Sequence, residues 1–251
     1  MSSFVNSVSL MPVNAGQIGI FWLGQAGFLF KLADGRLVVV DPYFSDCCNR
    51  LVNFKRLMPY LMGATDLEYD IYIASHAHPD HFDVDVIGAV TACPKTELIC
   101  AYDCKAECER IGIKDRVIYI KEGDALCRNG LTIKAVMCDH GEGTPDAVGL
   151  ILENEGKRVY LMGDTCYRKE FLENEELKGC DVLILPINGA FGNLNEREAA
   201  DVAEGLKPVL TVPCHFWNFA EHGGNPELFA KAMQEKGLPY NIFRMGEGVV
   251  I

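Results

Sequence analysis

Ile71-Tyr72-Ile73-Ala74-Ser75-His76-Ala77-His78-Pro79-Asp80-His81 runs from a short apolar segment straight into three histidines and a carboxylate. The first four residues read as a buried strand, so the histidines follow a strand end. The chain has six histidines in 251 residues, and three of them fall at 76, 78 and 81. Alternate residues of an extended segment point the same way, so His76 and His78 can face one ion. The turn after Pro79 then aims Asp80 and His81 at a neighbouring position. As a purely structural loop, three imidazoles and a carboxylate packed together would carry a large desolvation or like-charge cost with no cation to offset it. One ion held by three protein groups and a water is the rival arrangement.

Residues far from this loop bear on that choice. His140 follows the strand-like run Ala135-Val136-Met137-Cys138-Asp139, Asp164 follows Val159-Tyr160-Leu161-Met162-Gly163, and His215 follows Val209-Leu210-Thr211-Val212-Pro213-Cys214. All three sit where a strand is expected to end, the usual place for ligands carried on loops by a rigid sheet. Further strands are expected at 18–23, 28–32, 37–40, 97–101, 117–120, 131–136, 148–152 and 182–185, with Ala33-Asp34-Gly35-Arg36 as a hairpin turn. Asn195 with Glu198 three residues on has the form of a reciprocal helix cap, and Asn225-Pro226 opens a second helix that closes at Gly237. No repeat or Pro/Ser-rich linker divides the chain, so one domain over 1–251 is the simplest organisation. Strands with interspersed helices fit a layered α/β body, whose topology the pattern leaves open.

His76-Ala77-His78-Pro79-Asp80-His81, then His140, Gly163-Asp164-Thr165 and His215 in that order, resembles the metallo-β-lactamase superfamily over nearly the whole chain. Within it, Trp22-Leu23-Gly24-Gln25-Ala26-Gly27, Asp41-Pro42-Tyr43 and His215-Phe216-Trp217-Asn218 resemble the branch that contains L-ascorbate-6-phosphate lactonase. The resemblance implies an αββα sandwich of two mixed β-sheets flanked by helices. It implies one metal on His76, His78 and His140, another on Asp80, His81 and His215, and Asp164 bridging both. Imidazole and carboxylate donors suit Zn²⁺, Mn²⁺ and Fe, with zinc the default.

The chemistry implied is hydrolysis. Two ions sharing one water lower its pKa from ~15.7 towards 7, which yields hydroxide at neutral pH, while one ion polarises the substrate carbonyl or phosphoryl oxygen. The catalytic candidates are Asp80, which orients the water and shuttles its proton, together with His76, His78 and His81. Tyr43, Asn188, Trp217, Asn218 and His222 are the candidate substrate contacts, Asn188 because the Gly-rich loop 187–193 lies between a strand and the capped helix. A small polar lactone or ester is the expected substrate. A phosphate would call for Arg or Lys near the metals, and segments 76–83, 139–149, 163–167, 187–195 and 213–224 hold none, which speaks against ascorbate 6-phosphate. The alternatives are a small-molecule phosphodiesterase, a di-iron redox protein on the same scaffold, and a metal-binding regulator without turnover. Related redox proteins work with a flavin domain, for which this chain has no spare length.

Composition narrows the partners. The formal net charge is −12, with 35 acidic against 23 basic residues and no basic run, which excludes nucleic acid as the natural partner. No apolar run is long enough to span a membrane, and the start lacks a secretory pattern, so a cytoplasmic protein is expected. A small-molecule substrate is the expected partner, and the sequence admits a homo-oligomer. Eleven cysteines without CxxC spacing read as reduced thiols. Cys100, Cys104 and Cys108 are four apart, but Cys100 belongs to an expected strand, so they read as buried structural thiols rather than a cluster on one helix face.

Overall fold

The computed structural model describes residues 3–251; Met1 and Ser2, the start of the expected domain, lie outside the described residues. After helix α1 (Ser3–Leu10), strands β1 (Ile18–Gly24), β2 (Gly27–Leu32) and β3 (Leu37–Val40) form an antiparallel meander. Helix α2 (Cys47–Val52) follows, and then β4 (Ile71–Ala74), α3 (Ile87–Thr91), β5 (Glu97–Ala101), α4 (Lys105–Arg110) and β6 (Val117–Ile120), in which the strands run parallel. The second half repeats this logic. Strands β7 (Ala125–Arg128), β8 (Leu131–Val136), β9 (Gly149–Asn154) and β10 (Lys157–Leu161) pair antiparallel. Helix α5 (Lys169–Glu173), β11 (Val182–Pro186), α6 (Glu196–Leu206) and β12 (Leu210–Cys214) then add two parallel strands. Helix α7 (Pro226–Glu235) and β13 (Gly248–Val250) complete the order.

The strands make two mixed sheets, ordered β13-β1-β2-β3-β4-β5-β6 and β12-β11-β10-β9-β8-β7. Helices flank them, which is the four-layer sandwich that the resemblance implies. Every residue of β1, β4 and β11 is buried. Such strands read as continuous apolar runs because both faces are covered. The two expected caps are present. Asn195 accepts from the amides of Arg197 and Glu198 while Glu198 accepts from the Asn195 amide, and Asn225 accepts from the amides of Glu227 and Leu228.

Several expectations are corrected. The strands expected at 148–152, 159–162 and 209–212 are Gly149–Asn154, Lys157–Leu161 and Leu210–Cys214. Pairing with neighbours, rather than the end of the apolar run, sets their limits. β7 and β13 were not expected: β7 is a four-residue edge strand with no buried residue, and β13 has three residues. Cys100 lies on β5, Cys104 in a 3₁₀ turn and Cys108 on α4, and all three are buried, as expected of structural thiols. All eleven cysteines are free.

Strand ends from both sheets meet at one place. β3 leads into Asp41, β4 into Ser75–His81, β8 into His140, β10 into Asp164 and β12 into His215. Two backbone bonds lock these ends together: the Val148 amide donates to Ser75 O at 3.0 Å, and the His215 amide donates to Gln25 O at 2.9 Å.

Candidate metal centre

The seven residues expected as ligands come together where these strands end. His76 Nε2 and His140 Nε2 each stand 3.0 Å from His78 Nδ1. On the other side, His81 Nε2 is 3.3 Å from His215 Nε2 and 3.6 Å from Asp80 Oδ2, and His215 Nε2 is 3.3 Å from Asp80 Oδ2. Asp164 reaches both groups, with Oδ2 3.0 Å from His215 Nε2 and 3.7 Å from His140 Nε2, and Oδ1 3.3 Å from His81 Nε2. Four protein donors at ~2.0–2.1 Å around one zinc ion leave about 3.3 Å between neighbouring donors, and these separations lie around that value. His222 was expected only as a substrate contact, yet its ring nitrogen lies within 4.8 Å of the donor atoms of Asp80 and His215.

Hydrogen bonding outside the cluster shows that the donors fit a cation. Asp41 accepts from the Ser75 amide at 2.7 Å, from Ser75 Oγ, and from His81 Nδ1 at 2.8 Å. Because the Ser75 hydroxyl donates to that carboxylate, its oxygen is left to accept from His76 Nδ1, 3.1 Å away. One buried carboxylate thereby sets both rings with Nδ1–H outward and the Nε2 lone pair turned into the cluster, the tautomer a metal requires. His140 differs, since its buried Nδ1 has no hydrogen-bond partner among the described residues.

Electrostatics divide the cluster. Burial, reinforced by neighbouring imidazoles, holds His76 well below its usual range, and burial lowers His140 to about 4. Burial also lowers His78, so these three rings converge as neutral lone-pair donors. Burial works against charge on His215 too, but the Asp164 and Asp80 carboxylates prevail and push it up to about 9. On that side protons stand in for the charge a cation would bring, and a metal would displace them.

A pH dependence follows for the metal-free protein. His140 and His222, the latter lowered to about 4 by burial and by His215, stay neutral when folded but take protons near 6.5 when unfolded. Between these limits the unfolded chain binds more protons, so stability falls as the pH falls from 6.5 to about 4. His215 contributes oppositely: its stabilisation is complete below 6.5 and is lost as the pH rises through about 9. Urea midpoints of chelator-treated protein at pH 7, 5.5 and 4 should decrease in that order; a flat series would contradict these assignments.

Gln25 was noted only within a motif, and its role lies in tertiary contacts. It is buried, with φ 51°, and its carbonyl accepts from Trp22 Nε1 at 3.0 Å as well as from the His215 amide. Its side-chain nitrogen donates to Asp80 Oδ2 at 2.8 Å and lies 3.1 Å from His222 Nδ1. Asn193 similarly donates to Asp164 Oδ2 at 2.8 Å. Asp41, His215 and Phe191 share the left-handed backbone of Gln25, with φ of 48°, 63° and 54°. Such strain, about 1–3 kcal/mol each, persists where surrounding contacts over-determine it and clusters at functional sites. Gln25→Ala should weaken metal retention on the Asp80 side by roughly 10–100-fold, the usual effect of losing an outer partner. Competition with a chromogenic chelator measures this, and unchanged retention would show that the amide does not hold Asp80.

A cavity of about 250 Å³ opens on the cluster. Besides donors, it is lined by Cys48, Val52, Phe54, Pro79, Phe191 and His222. Of the five expected substrate contacts, His222 alone is on this wall. Tyr43 is turned inward, its hydroxyl accepting from the Cys48 amide and its ring packed on Phe219. Asn188 and Asn218 are buried off the wall, and Trp217 is exposed and set edge-on against Phe216.

The Beta-lactamase superfamily domain matches residues 19–215. A protein of Methanopyrus kandleri described as a metal-dependent hydrolase is 28% identical over 242 residues, covering 91% of this chain and 97% of that one. One of Aeropyrum pernix with the same description is 30% identical over 236 residues, covering 88% and 91%. The solved structure of Igni18, a metallo hydrolase from Ignicoccus hospitalis, shares the fold with a TM-score of 0.76 at 20% identity, covering 94% and 98%.

Proposed function

The chain belongs to the beta-lactamase superfamily, among relatives that are metal-dependent hydrolases, and from that premise we propose that it cleaves a small lactone or ester at a dinuclear centre. The observation that carries this reading is the convergence of seven His and Asp donors, five of which, His78, Asp80, His140, Asp164 and His215, line an open cavity. The reading takes 1–251 as one hydrolase domain. The ligand sets are His76, His78 and His140 for one ion and Asp80, His81 and His215 for the other, with Asp164 shared; Zn²⁺ is the first choice, and Mn²⁺ or Fe would also suit the donors.

Divalent ions held there would supply an acidified water and polarise the substrate carbonyl. The chain's own residues do the rest. Asp80 lies on the cavity wall, where its carboxylate orients the attacking water and takes its proton. Gln25 holds Asp80 in that direction through Oδ2. Asn193 and the two histidines beside Asp164 fix the shared carboxylate. Cys48, Val52, Phe54 and Phe191 shield one side of the reacting carbonyl from bulk water.

The test is a panel of neutral esters, lactones and phosphodiesters with chelated and metal-reconstituted protein. Ester or lactone turnover that disappears on chelation and returns with Zn²⁺ or Mn²⁺ supports the reading. Phosphodiester turnover alone, or iron with oxygen consumption and no hydrolysis, would replace it with the corresponding alternative.

A further inference from the structure

The cavity wall bears on the substrate, on the premise that the hydrolase reading holds. Phe54, Phe191 and His222 form a triangle of rings, with centroids 5.6 Å apart for Phe54 and Phe191, 5.6 Å for Phe54 and His222, and 5.3 Å for Phe191 and His222. His222 lies nearly parallel to His215, at 4.8 Å and 11°, so the aromatic wall starts where the donor cluster ends. Phe191 is 58% exposed and Val52 45% exposed, leaving large apolar surfaces in water on the wall of the cavity. Covering such surfaces is favourable for an apolar ligand.

Among the described residues, no Lys or Arg lines the cavity. Arg50, Lys55 and Arg56 lie beside Val52 and Phe54 in sequence, but Arg50 pairs with Asp85 and Lys55 is exposed and does not line the cavity. Arg56 lies 4.1 Å over the Tyr43 ring and donates to Tyr43 O and Ser45 O. A bound phosphate would meet no fork of donors from the wall, and the net charge of −12 opposes the approach of an anion.

We propose that this cavity binds an uncharged ester or lactone carrying a flat apolar group next to the reacting carbonyl, with that group lying against Phe54, Phe191 and Val52, and that it discriminates against phosphorylated substrates. The wall thus sets specificity, while the donor cluster sets reactivity.

The experiment measures binding by calorimetry of three probes to the full-length, Zn²⁺-loaded protein: benzohydroxamate, acetohydroxamate and phenylphosphonate. Both hydroxamates engage a metal through the same group and differ in the apolar part. Benzohydroxamate is expected to bind at least tenfold more tightly than acetohydroxamate, the effect of taking a phenyl group out of water, and more tightly than phenylphosphonate. Phe191→Ala, at an exposed position, is expected to cut the benzo-to-aceto ratio at least threefold, with zinc content and the thermal unfolding midpoint measured on the same sample. Equal hydroxamate affinities, an unchanged ratio in Phe191→Ala, or tightest binding of phenylphosphonate to zinc-loaded protein overturns the proposal and leaves the hydrolase reading standing. A chain that holds no zinc and binds no hydroxamate overturns the hydrolase reading, and this proposal with it.

Discussion

Asp164→Ala should reduce turnover by more than about 100-fold and lower the bound metal by at least one equivalent. The reason is its position: its two oxygens face His81, His215 and His140, so both candidate ligand sets lose a donor at once. Removal of an outer partner of a ligand typically costs 10–100-fold, and loss of a shared donor should exceed that. The electrostatic effect adds to it. Burial opposes charge on Asp164, but His215 and His81 hold it well below the usual carboxylate range, so deletion leaves two buried imidazoles without their main counter-charge. Metal analysis and ester hydrolysis on the same preparation test this; full metal content with near-normal turnover would show that Asp164 is not a shared ligand.

The second large effect is expected at a residue that touches no ion. Asp41→Asn should lower metal affinity by roughly 10–100-fold although every ligand remains. The carboxylate accepts three hydrogen bonds, from the Ser75 amide, the Ser75 hydroxyl and His81 Nδ1. An asparagine offers one accepting oxygen and one donating nitrogen, so at least one of these donors would face another donor. His81 would then be free to carry its proton on Nε2, where the ion must bind. The bond from His76 Nδ1 to Ser75 Oγ would lose its orientation in the same change. Ser75→Ala disturbs only the His76 half and should weaken binding less than Asp41→Asn. Chelator competition separates the two variants; the reverse ranking, or no loss in either, would refute the tautomer argument.

Much of the centre was legible in the chain because its strand-end loop packs four donors into six positions, His76 to His81, where local geometry alone turns them to one region. His140, Asp164 and His215 are visible in sequence only as polar residues after apolar runs. What joins them is the pairing order of β8, β10 and β12 within one sheet, which no local pattern encodes. Gln25 is harder still, since its amide acts on residues 55 and 190 positions away. The cavity wall was misjudged for a related reason. Trp217 and Asn218 follow the ligand His215 in sequence and Tyr43 follows Asp41, yet the chain turns their side chains into packing or solvent, while Phe54 and Phe191 arrive from two irregular loops that meet only in space. β7 had a readable signal in Asn129-Gly130, both with positive φ of 48° and 83°, the pair that a tight hairpin turn favours.

Whether two metal ions occupy this donor set is decided by the metal content of the protein purified without chelator, set beside His140→Ala. His140 completes the neutral triad, and among the described residues no hydrogen bond holds its Nδ1, so its removal should empty that set without disturbing the Asp41 relay. Close to two equivalents are expected in the parent and close to one in the variant. Less than one equivalent in the parent, even after Zn²⁺ or Mn²⁺ is supplied, would contradict the two-metal assignment.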